Sequence, residues 1–213
     1  MKQIMLEMRG KRLVISCLAT ALICAAPFAV GKSLTDSLLD QARGIMSPAS
    51  SSGAFSTPAG QTVEVGFSPE GGAETLVLKV INSAHTSIRL AGYSFTSPKV
   101  VRALLDAKRR GVDVAVVVDD KGNRSKTSQQ ALNLLVNANI PTRTIDRYAI
   151  NHDKYVVVDG RHVQTGSFNY SASAASRNSE NVLVVWNNPA LAEQYLQHWQ
   201  SRFAQGSNYR STY

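Results

Sequence analysis

The stretch "SIRLAGYSFTSPKVVRALLDAKRRGVDVAVVVDD", residues 87–120, decides the fold class. It begins with a strand pattern and ends with another, and the second is continuously apolar at its centre, which is typical of a buried strand. Between them lies a helix pattern with clear boundaries: Ser97 as N-cap, Pro98 at the first position and Gly111 just past the end. A strand, a helix and a strand in this order indicate an α/β protein.

The same alternation continues on both sides of this unit. Strand patterns cover residues 62–67, 140–146 and 181–187, and helix patterns cover residues 72–84, 126–139 and 188–205. Residues 154–166 predict two strands joined at Asp159-Gly160, a strong hairpin signal. We therefore predict an α/β domain with a mixed, mostly parallel central sheet and helices on both faces.

The first 31 residues have the layout of a secretory signal peptide. Four basic residues precede an uncharged apolar run from Leu13 to Gly31, and Ala29 satisfies the small-residue rule for a cut after Gly31. We expect export to the periplasm or the medium. The alternative is a retained membrane anchor, because the run is almost long enough to span a bilayer. Cys17 and Cys24 both lie in this segment, so a processed chain has no thiolate for catalysis.

Residues 32–61 are rich in Ser, Ala, Pro and Gly, and we interpret them as a flexible lead-in to a folded domain at residues 62–213. The whole chain carries a net charge of +8. Without residues 1–31 it keeps 19 Lys and Arg against 14 Asp and Glu, a net charge of +5. A positive protein favours anionic partners such as nucleic acid or an acidic membrane surface.

Polar residues with the potential for catalysis concentrate between residues 151 and 181. His152 and Lys154 are two residues apart at the edge of a strand, so alternation predicts that both point the same way and that Asp153 points the other way. A neutral imidazole is a nucleophile and a proton acceptor near pH 7. A lysine ammonium beside it neutralises an anion such as a phosphate oxygen.

The return strand of the hairpin leads into a second polar group. Gly166 permits an unusual turn, and Ser167 and Asn169 present hydrogen-bonding groups that suit an anion with several oxygens. Glu180 is the nearest downstream carboxylate, and we predict that it orients the ring of His152 and stabilises its imidazolium form.

"HDKYVVVDGRHVQTGSFN", residues 152–169, resembles without a gap the motif H-x-K-x4-D-x6-G-S-x-N of the phospholipase D superfamily. Every fixed position is matched, and the resemblance extends over about residues 62–203. The rest of the chain also resembles the small bacterial endonucleases of that superfamily. The matched positions, with the glutamate that supports the histidine, are His152, Lys154, Asp159, Gly166, Ser167, Asn169 and Glu180.

This resemblance implies a phosphodiesterase that needs no metal and no other cofactor. One histidine attacks phosphorus to form a phosphohistidine, a second protonates the leaving oxygen, and water then opens the intermediate. The chain has one motif, because His85, His162 and His198 each lack a lysine two residues on. The reaction uses two histidines, and each chain supplies one. We therefore expect a homodimer with a two-fold axis through the active site, and the resemblance implies the same.

Other interpretations of single residues stay open. Asp159 belongs to the motif and so to the candidate catalytic residues, but an Asp-Gly turn also gives it a purely structural role. Asp119 and Asp120 look like a metal pair, although a strand that ends in Asp is common. Tyr93, Phe95 and Phe168 are candidates for stacking on bases, with core packing as the alternative.

The motif defines the bond and leaves the substrate open. The leading hypothesis is a nonspecific endonuclease with DNA as its substrate and RNA as an additional candidate. The second is a phospholipid phosphodiesterase with a cardiolipin-like substrate, which the retained anchor would suit. A third is a nucleic-acid-binding module without activity, which the intact His152 and Lys154 pair argues against.

Overall fold

The computed structural model describes residues 57–212, and the predicted signal peptide and most of the lead-in lie outside them. The described residues contain one mixed sheet of eight strands. The strands are β1 (Thr62–Ser68), β2 (Ser87–Gly92), β3 (Asp113–Asp119), β4 (Thr142–Ile145), β5 (Tyr155–Val158), β6 (His162–Gly166), β7 (Glu180–Trp186) and β8 (Ser207–Asn208). Their order across the sheet is β1-β7-β6-β5-β2-β3-β4-β8.

Five α-helices accompany the strands in the described part of the chain. They are α1 (Gly72–Asn82), α2 (Pro98–Arg109), α3 (Lys126–Asn137), α4 (Ala172–Ser176) and α5 (Pro189–Gln205). The predicted caps are confirmed: the Ser97 side chain accepts from the Val100 N–H, and the Asn188 side chain accepts from the Leu191 N–H. The short helix α4 and the two-residue strand β8 were not predicted.

The two faces of the sheet carry different layers. Helices α1 to α3 cover one face and enclose the larger core, to which the sheet contributes Ile88, Leu90, Val116 and Val156. Helix α5 alone packs on the other face, where Trp199 stacks on Phe203 and its indole N–H donates to the Leu90 carbonyl at 2.9 Å. We call these the α1–α3 face and the α5 face.

The prediction of a mixed sheet with helices on both faces is confirmed, but the expected predominance of parallel pairs is wrong. Among the described strands only β2 with β3 and β3 with β4 pair in parallel, and the other five pairings are antiparallel. The cause is the half of the sheet from β5 to β7, in which successive strands pair antiparallel, with β1 joining antiparallel beside β7. No helix of residues 57–212 is long and apolar enough to span a bilayer.

Candidate active site

The register of the sheet brings several strand ends together on one side of the molecule. Tyr155, the first residue of β5, pairs with Ala91 near the end of β2 and with Thr165 near the end of β6. Ser68, the last residue of β1, pairs with Glu180, the first residue of β7. Loops that belong to distant parts of the sequence therefore meet at this side of the sheet, which we call the site end.

His152 and Lys154 lie at the site end, in the extended segment just before β5. The Tyr93 ring touches both: its centroid is 4.9 Å from that of the His152 ring and 5.4 Å from Lys154 Nζ. Asp153 points to the α5 face, where its carboxylate is 3.0 Å from His198 Nε2. The predicted alternation of these three side chains is confirmed, although the segment lies outside the regular strand.

Lys154 is nearly enclosed, whereas His152 is exposed. Only 7 % of Lys154 is accessible, and its ammonium donates to the His152 carbonyl at 2.9 Å. Burial lowers the pKa of Lys154, while the carboxylates of Glu180 and Asp153 act in the opposite direction. One of its three N–H bonds therefore steadies the histidine backbone, and the others are available to anionic oxygens.

Asp119, at the end of β3, holds the segment of chain that leads into His152. It is 2 % exposed, and its two oxygens accept from the Gly122 N–H at 2.6 Å and the Asn151 N–H at 2.7 Å. Since Asn151 immediately precedes His152, this buried carboxylate ties the segment that carries the histidine to the central strand.

The Asp119 and Asp120 pair does not assemble a wider acidic group. Asp120 turns away and forms an ion pair with Arg124 at 2.5 Å. Within residues 57–212, no three His, Cys, Asp or Glu side chains gather in a way that could hold a metal ion. The two carboxylates therefore serve separate hydrogen-bonding roles here.

Ser167 and Glu180 form a second polar pair at the site end. The serine hydroxyl donates to Glu180 Oε2 at 2.5 Å, and Asn178 Nδ2 donates to Glu180 Oε1 at 2.9 Å. Ser167 Oγ also accepts from the Asn181 N–H at 3.1 Å. Because the hydroxyl has a single proton, Ser167 can contact a phosphate oxygen as a donor only by giving up Glu180.

The hydrogen bonds of Glu180 within the described residues go to these partners and not to His152. Its carboxylate nevertheless lies close enough to act on the charge of Lys154. The orienting role toward His152 therefore stays a prediction. Glu180 also begins β7 rather than preceding it, as its pairing with Ser68 shows.

Gly166 cannot be replaced without moving the backbone. Its φ of +148° is a conformation that L side chains rarely adopt, and a Cβ would lie 2.2 Å from the Asn181 carbonyl oxygen. Beyond the turn, the side-chain oxygen of Asn169 is buried and accepts no hydrogen bond from the described residues. That oxygen is available to a donor from substrate, water or a second protein chain.

Asp159 lies at the opposite end of β5, roughly 15 Å from Lys154 along the chain. Its carboxylate accepts from the backbone N–H groups of His85, Thr86 and Ser87 and from the Thr86 hydroxyl, at 2.8 to 3.2 Å. Burial raises the pKa of Asp159, but these hydrogen bonds outweigh it and leave the pKa below its ordinary value. The geometry favours the structural role over a chemical one.

Each of the other histidines of the chain is engaged away from His152. His85 faces Asp159 at the far end of the sheet, at 3.7 Å, and His162 Nδ1 accepts from the Asn187 N–H. His198 is held by Asp153 on the α5 face. One chain therefore presents one histidine at the site end.

Sequence reasoning undervalued two residues of the site. Tyr93 was considered for stacking on bases or for the core, and its contact with His152 and Lys154 was not foreseen. Asp119 was weighed as a metal ligand or as an ordinary strand-ending Asp, and its hydrogen bond with the Asn151 N–H was not foreseen. Their position after β2 and β3 is the available signal, because loops that follow parallel strands meet at one edge of a sheet. Phe95 and Phe168 are fully buried, so core packing is confirmed for both.

The family "Cardiolipin synthase, PLD-like domain" matches residues 77–204. The chain therefore belongs to this phospholipase D-like family, which is part of the phospholipase D superfamily of phosphodiesterases. It is similar to a solved phospholipase D family member, Nuc from Salmonella typhimurium, with 52 % identity, a TM-score of 0.70 and coverage of 71 % of this chain and 99 % of that one.

The names of two curated relatives refer to phospholipids. "Phospholipase D" of Rickettsia bellii is 36 % identical over 138 residues, which are 65 % of this chain and 67 % of the relative. "Mitochondrial cardiolipin hydrolase" of Xenopus laevis is 37 % identical over 102 residues, which are 48 % of each chain.

Proposed function

We propose that the protein is a metal-independent endonuclease with DNA, and also RNA, as its substrate. The reaction passes through a phosphohistidine at the interface of a homodimer. The observation that carries the proposal is the pair of an exposed His152 and an enclosed Lys154 ammonium at the site end. A nucleophile in reach of solvent, backed by a partly desolvated cation, suits attack on a phosphodiester.

The reaction proceeds in two displacements. An imidazole nitrogen of one His152 attacks phosphorus, the bond from phosphorus to the leaving oxygen breaks, and His152 of the second copy gives that oxygen its proton. Water then attacks phosphorus, gives a proton to the second histidine, and the bond from phosphorus to nitrogen breaks. Both histidines return to their starting states, and one phosphodiester bond has been hydrolysed.

Other side chains stabilise the charge that develops on the phosphate. The free N–H bonds of Lys154 and the amide of Asn169 bind the non-bridging oxygens, and Ser167 joins them when it releases Glu180. Glu180, freed in the same exchange, supports the imidazolium that forms on a histidine. The two histidines need opposite protonation states, so the rate depends on pH as a bell-shaped curve.

Nucleic acid as the substrate is supported by the positive charge around the site. Lys121, Arg147 and Arg177 are exposed in three loops at the site end. Backbone phosphates would be held by such cations, so binding weakens with salt and shows little sequence preference. The resemblance to small bacterial endonucleases and the predicted export signal complete the case for a periplasmic or secreted nuclease.

A phospholipid phosphodiesterase is the second candidate. Ile150, two residues before His152, is 49 % exposed, and an apolar side chain beside the nucleophile would suit an acyl chain. The names of the Rickettsia and Xenopus relatives favour the same substrate class.

Plasmid nicking by the purified protein in excess EDTA tests the proposal. We expect the wild type to convert supercoiled plasmid to open-circle and linear forms, and His152→Ala to lose the activity by at least about 10³-fold. His85→Ala is the matched control, because this histidine is exposed at the far end of the sheet, and it should retain full activity.

The alternatives give different results in the same assay series. Cleavage of cardiolipin vesicles with no nicking of DNA or RNA would replace the nuclease by the phospholipid enzyme. Nicking that disappears in EDTA would refute the metal-independent mechanism, and equal nicking by His152→Ala would refute the role of the histidine.

A further inference from the structure

The Tyr93 ring, in the loop that follows β2, contacts both members of the His152 and Lys154 pair. Its centroid is 4.9 Å from the centroid of the His152 ring, and the two ring planes are inclined by 61°. The same centroid is 5.4 Å from Lys154 Nζ, which lies over the ring. An edge-to-face contact restricts the orientation of an imidazole, and the face of a tyrosine attracts an ammonium.

The absence of a side chain at Gly122 leaves room for this ring. A Cβ at position 122 would lie 3.0 Å from Cε2 of Tyr93 and 3.1 Å from the Tyr93 carbonyl oxygen. Both distances are tighter than ordinary van der Waals contact, so a larger residue in the turn after β3 would push the tyrosine out of its place. The ring therefore packs against backbone as well as against the side chains of the site.

One buried amide fixes the backbone around Tyr93. Asn123 Nδ2 donates to the Tyr93 carbonyl at 2.6 Å and to the Asp119 carbonyl at 2.7 Å. Its Oδ1 accepts from the Phe95 N–H at 2.9 Å. Asp119 also holds the segment that leads into the histidine, so the tyrosine and the histidine are both attached to the turn at residues 119–123. A few short buried hydrogen bonds thus set the distance between the two rings.

We propose that Tyr93 is a positioning residue, which holds the His152 imidazole and the Lys154 ammonium in the relative orientation that attack on a phosphodiester needs. The inference rests on the proposed function and adds to it a residue outside the sequence motif. His152 is exposed, and the hydrogen bond from Lys154 to its carbonyl fixes the backbone and leaves the ring free to change rotamer. The Tyr93 ring restrains the imidazole itself.

Such a restraint acts on the rate of the chemical step. An imidazole nitrogen must be aligned with phosphorus, and a misplacement of about 1 Å can cost about 100-fold in rate. Stacking of the partly exposed ring on a nucleic-acid base is the competing role, and it would act on substrate affinity instead. The two roles therefore separate in kcat and KM.

Tyr93→Leu removes the ring and keeps an apolar side chain. With a labelled oligonucleotide in excess EDTA, we expect kcat to fall by about 10- to 100-fold while KM stays within about threefold of the wild type. Tyr93→Phe should retain the wild-type kcat, because the contacts with His152 and Lys154 are made by the ring. A Tyr93→Leu protein with a raised KM and an unchanged kcat would assign the ring to base stacking and overturn the inference.

Tyr195→Leu is the matched control. Tyr195 lies on α5, is also partly exposed, and contacts the Tyr155 ring edge-to-face at the same centroid distance, 4.9 Å. The substitution removes an aromatic pair of the same kind from the α5 face, so kcat and KM should both stay at the wild-type values. An equal fall of kcat in Tyr195→Leu and Tyr93→Leu would reveal a general effect of a lost aromatic pair and would overturn the positioning role.

NMR of histidine-labelled protein measures the positioning without any assay of activity. The His152 side chain should show a single χ1 rotamer in the wild type and in Tyr93→Phe, with ring-proton shifts displaced by the neighbouring aromatic ring. In Tyr93→Leu the displacement should vanish, and the couplings should average over rotamers. Averaged couplings in the wild type would contradict the restraint.

The two proposals fail in different ways. A wild type that cleaves no nucleic acid, with a His152 rotamer that is fixed in the wild type and averaged in Tyr93→Leu, refutes the nuclease and leaves the positioning role standing. A nuclease in which Tyr93→Leu keeps the wild-type kcat refutes the positioning role and leaves the nuclease standing.

Discussion

Glu180 shows how one carboxylate can serve several neighbours at the residue scale. It accepts hydrogen bonds from the Ser167 hydroxyl and from the side-chain amide of Asn178, and its charge acts on Lys154. Burial lowers the pKa of Lys154, and the negative charge of Glu180 limits that fall. In the proposed reaction Lys154 binds a phosphate oxygen most strongly as an ammonium, so Glu180 would support the site by keeping that charge.

Glu180→Gln should lower the pKa of Lys154 further, because the substitution removes the charge and keeps the shape. Lysine-selective NMR titration measures this directly: the Lys154 signal should titrate at a lower pH than in the wild type. If Glu180 also orients His152, activity at neutral pH should fall by about 10- to 100-fold. Glu70→Gln, an exposed carboxylate outside the site, should change neither quantity. An unchanged Lys154 titration in Glu180→Gln would contradict the electrostatic role.

At the scale of an element, the hairpin between β5 and β6 shows how a residue of the motif can have a structural role. Asp159 and Gly160 both have positive φ, 53° and 61°, as a tight two-residue turn requires. The Asp159 carboxylate then accepts hydrogen bonds from the segment that leads into β2, so the turn joins two neighbouring strands. The residue completes the sequence motif yet acts at the far end of the sheet from His152.

Asp159→Asn should reduce the free energy of unfolding by about 1–3 kcal/mol and leave kcat nearly unchanged, because charged hydrogen bonds are lost far from the chemistry. The pKa of Asp159 is lower in the folded than in the unfolded protein. Its stabilisation is therefore complete above its unfolded pKa of about 4 and is lost as the pH falls through the folded pKa. Urea unfolding at a fixed protein concentration should show the full difference at pH 7 and a shrinking one in acid.

Asp113→Asn is the control for this comparison. Asp113 is 65 % exposed and pairs with Arg89 at the surface, so its loss should cost less than about 1 kcal/mol. A large loss of kcat in Asp159→Asn, with stability unchanged, would restore Asp159 to the catalytic group.

At the scale of the whole molecule, the proposed two-fold site would make two chains interdependent. A dimer of one wild-type chain and one His152→Ala chain has a single His152. That histidine can act as the nucleophile or as the proton donor, but it cannot do both in one step. We expect a heterodimer purified through two different affinity tags to be at least about 100-fold less active than a tagged wild-type dimer. Half of the wild-type activity in the heterodimer would mean that each chain carries a complete site, and the two-fold model would be wrong.

The amino-acid sequence determined what depends on local chemistry. Helix α2 begins at Pro98 after the Ser97 cap, and the Asp159-Gly160 turn has the backbone that these residues favour, since each signal acts within a few residues. The motif from His152 to Asn169 likewise identified the family from residue types and their separations alone. Alternation in the segment before β5 placed His152 and Lys154 on one side and Asp153 on the other.

The tertiary structure decided what depends on which strands become neighbours. The order of the sheet places β5 beside β2 and β1 beside β7, so most pairs are antiparallel, and no local pattern records that order because it is set by packing of the whole chain. The same order brings Tyr93 and Asp119 to the histidine segment, 59 and 33 residues away from His152 along the chain. It also leaves Val63, Val65 and Phe67 of β1 exposed, because coverage of a sheet face depends on where α5 lies rather than on the alternation within β1.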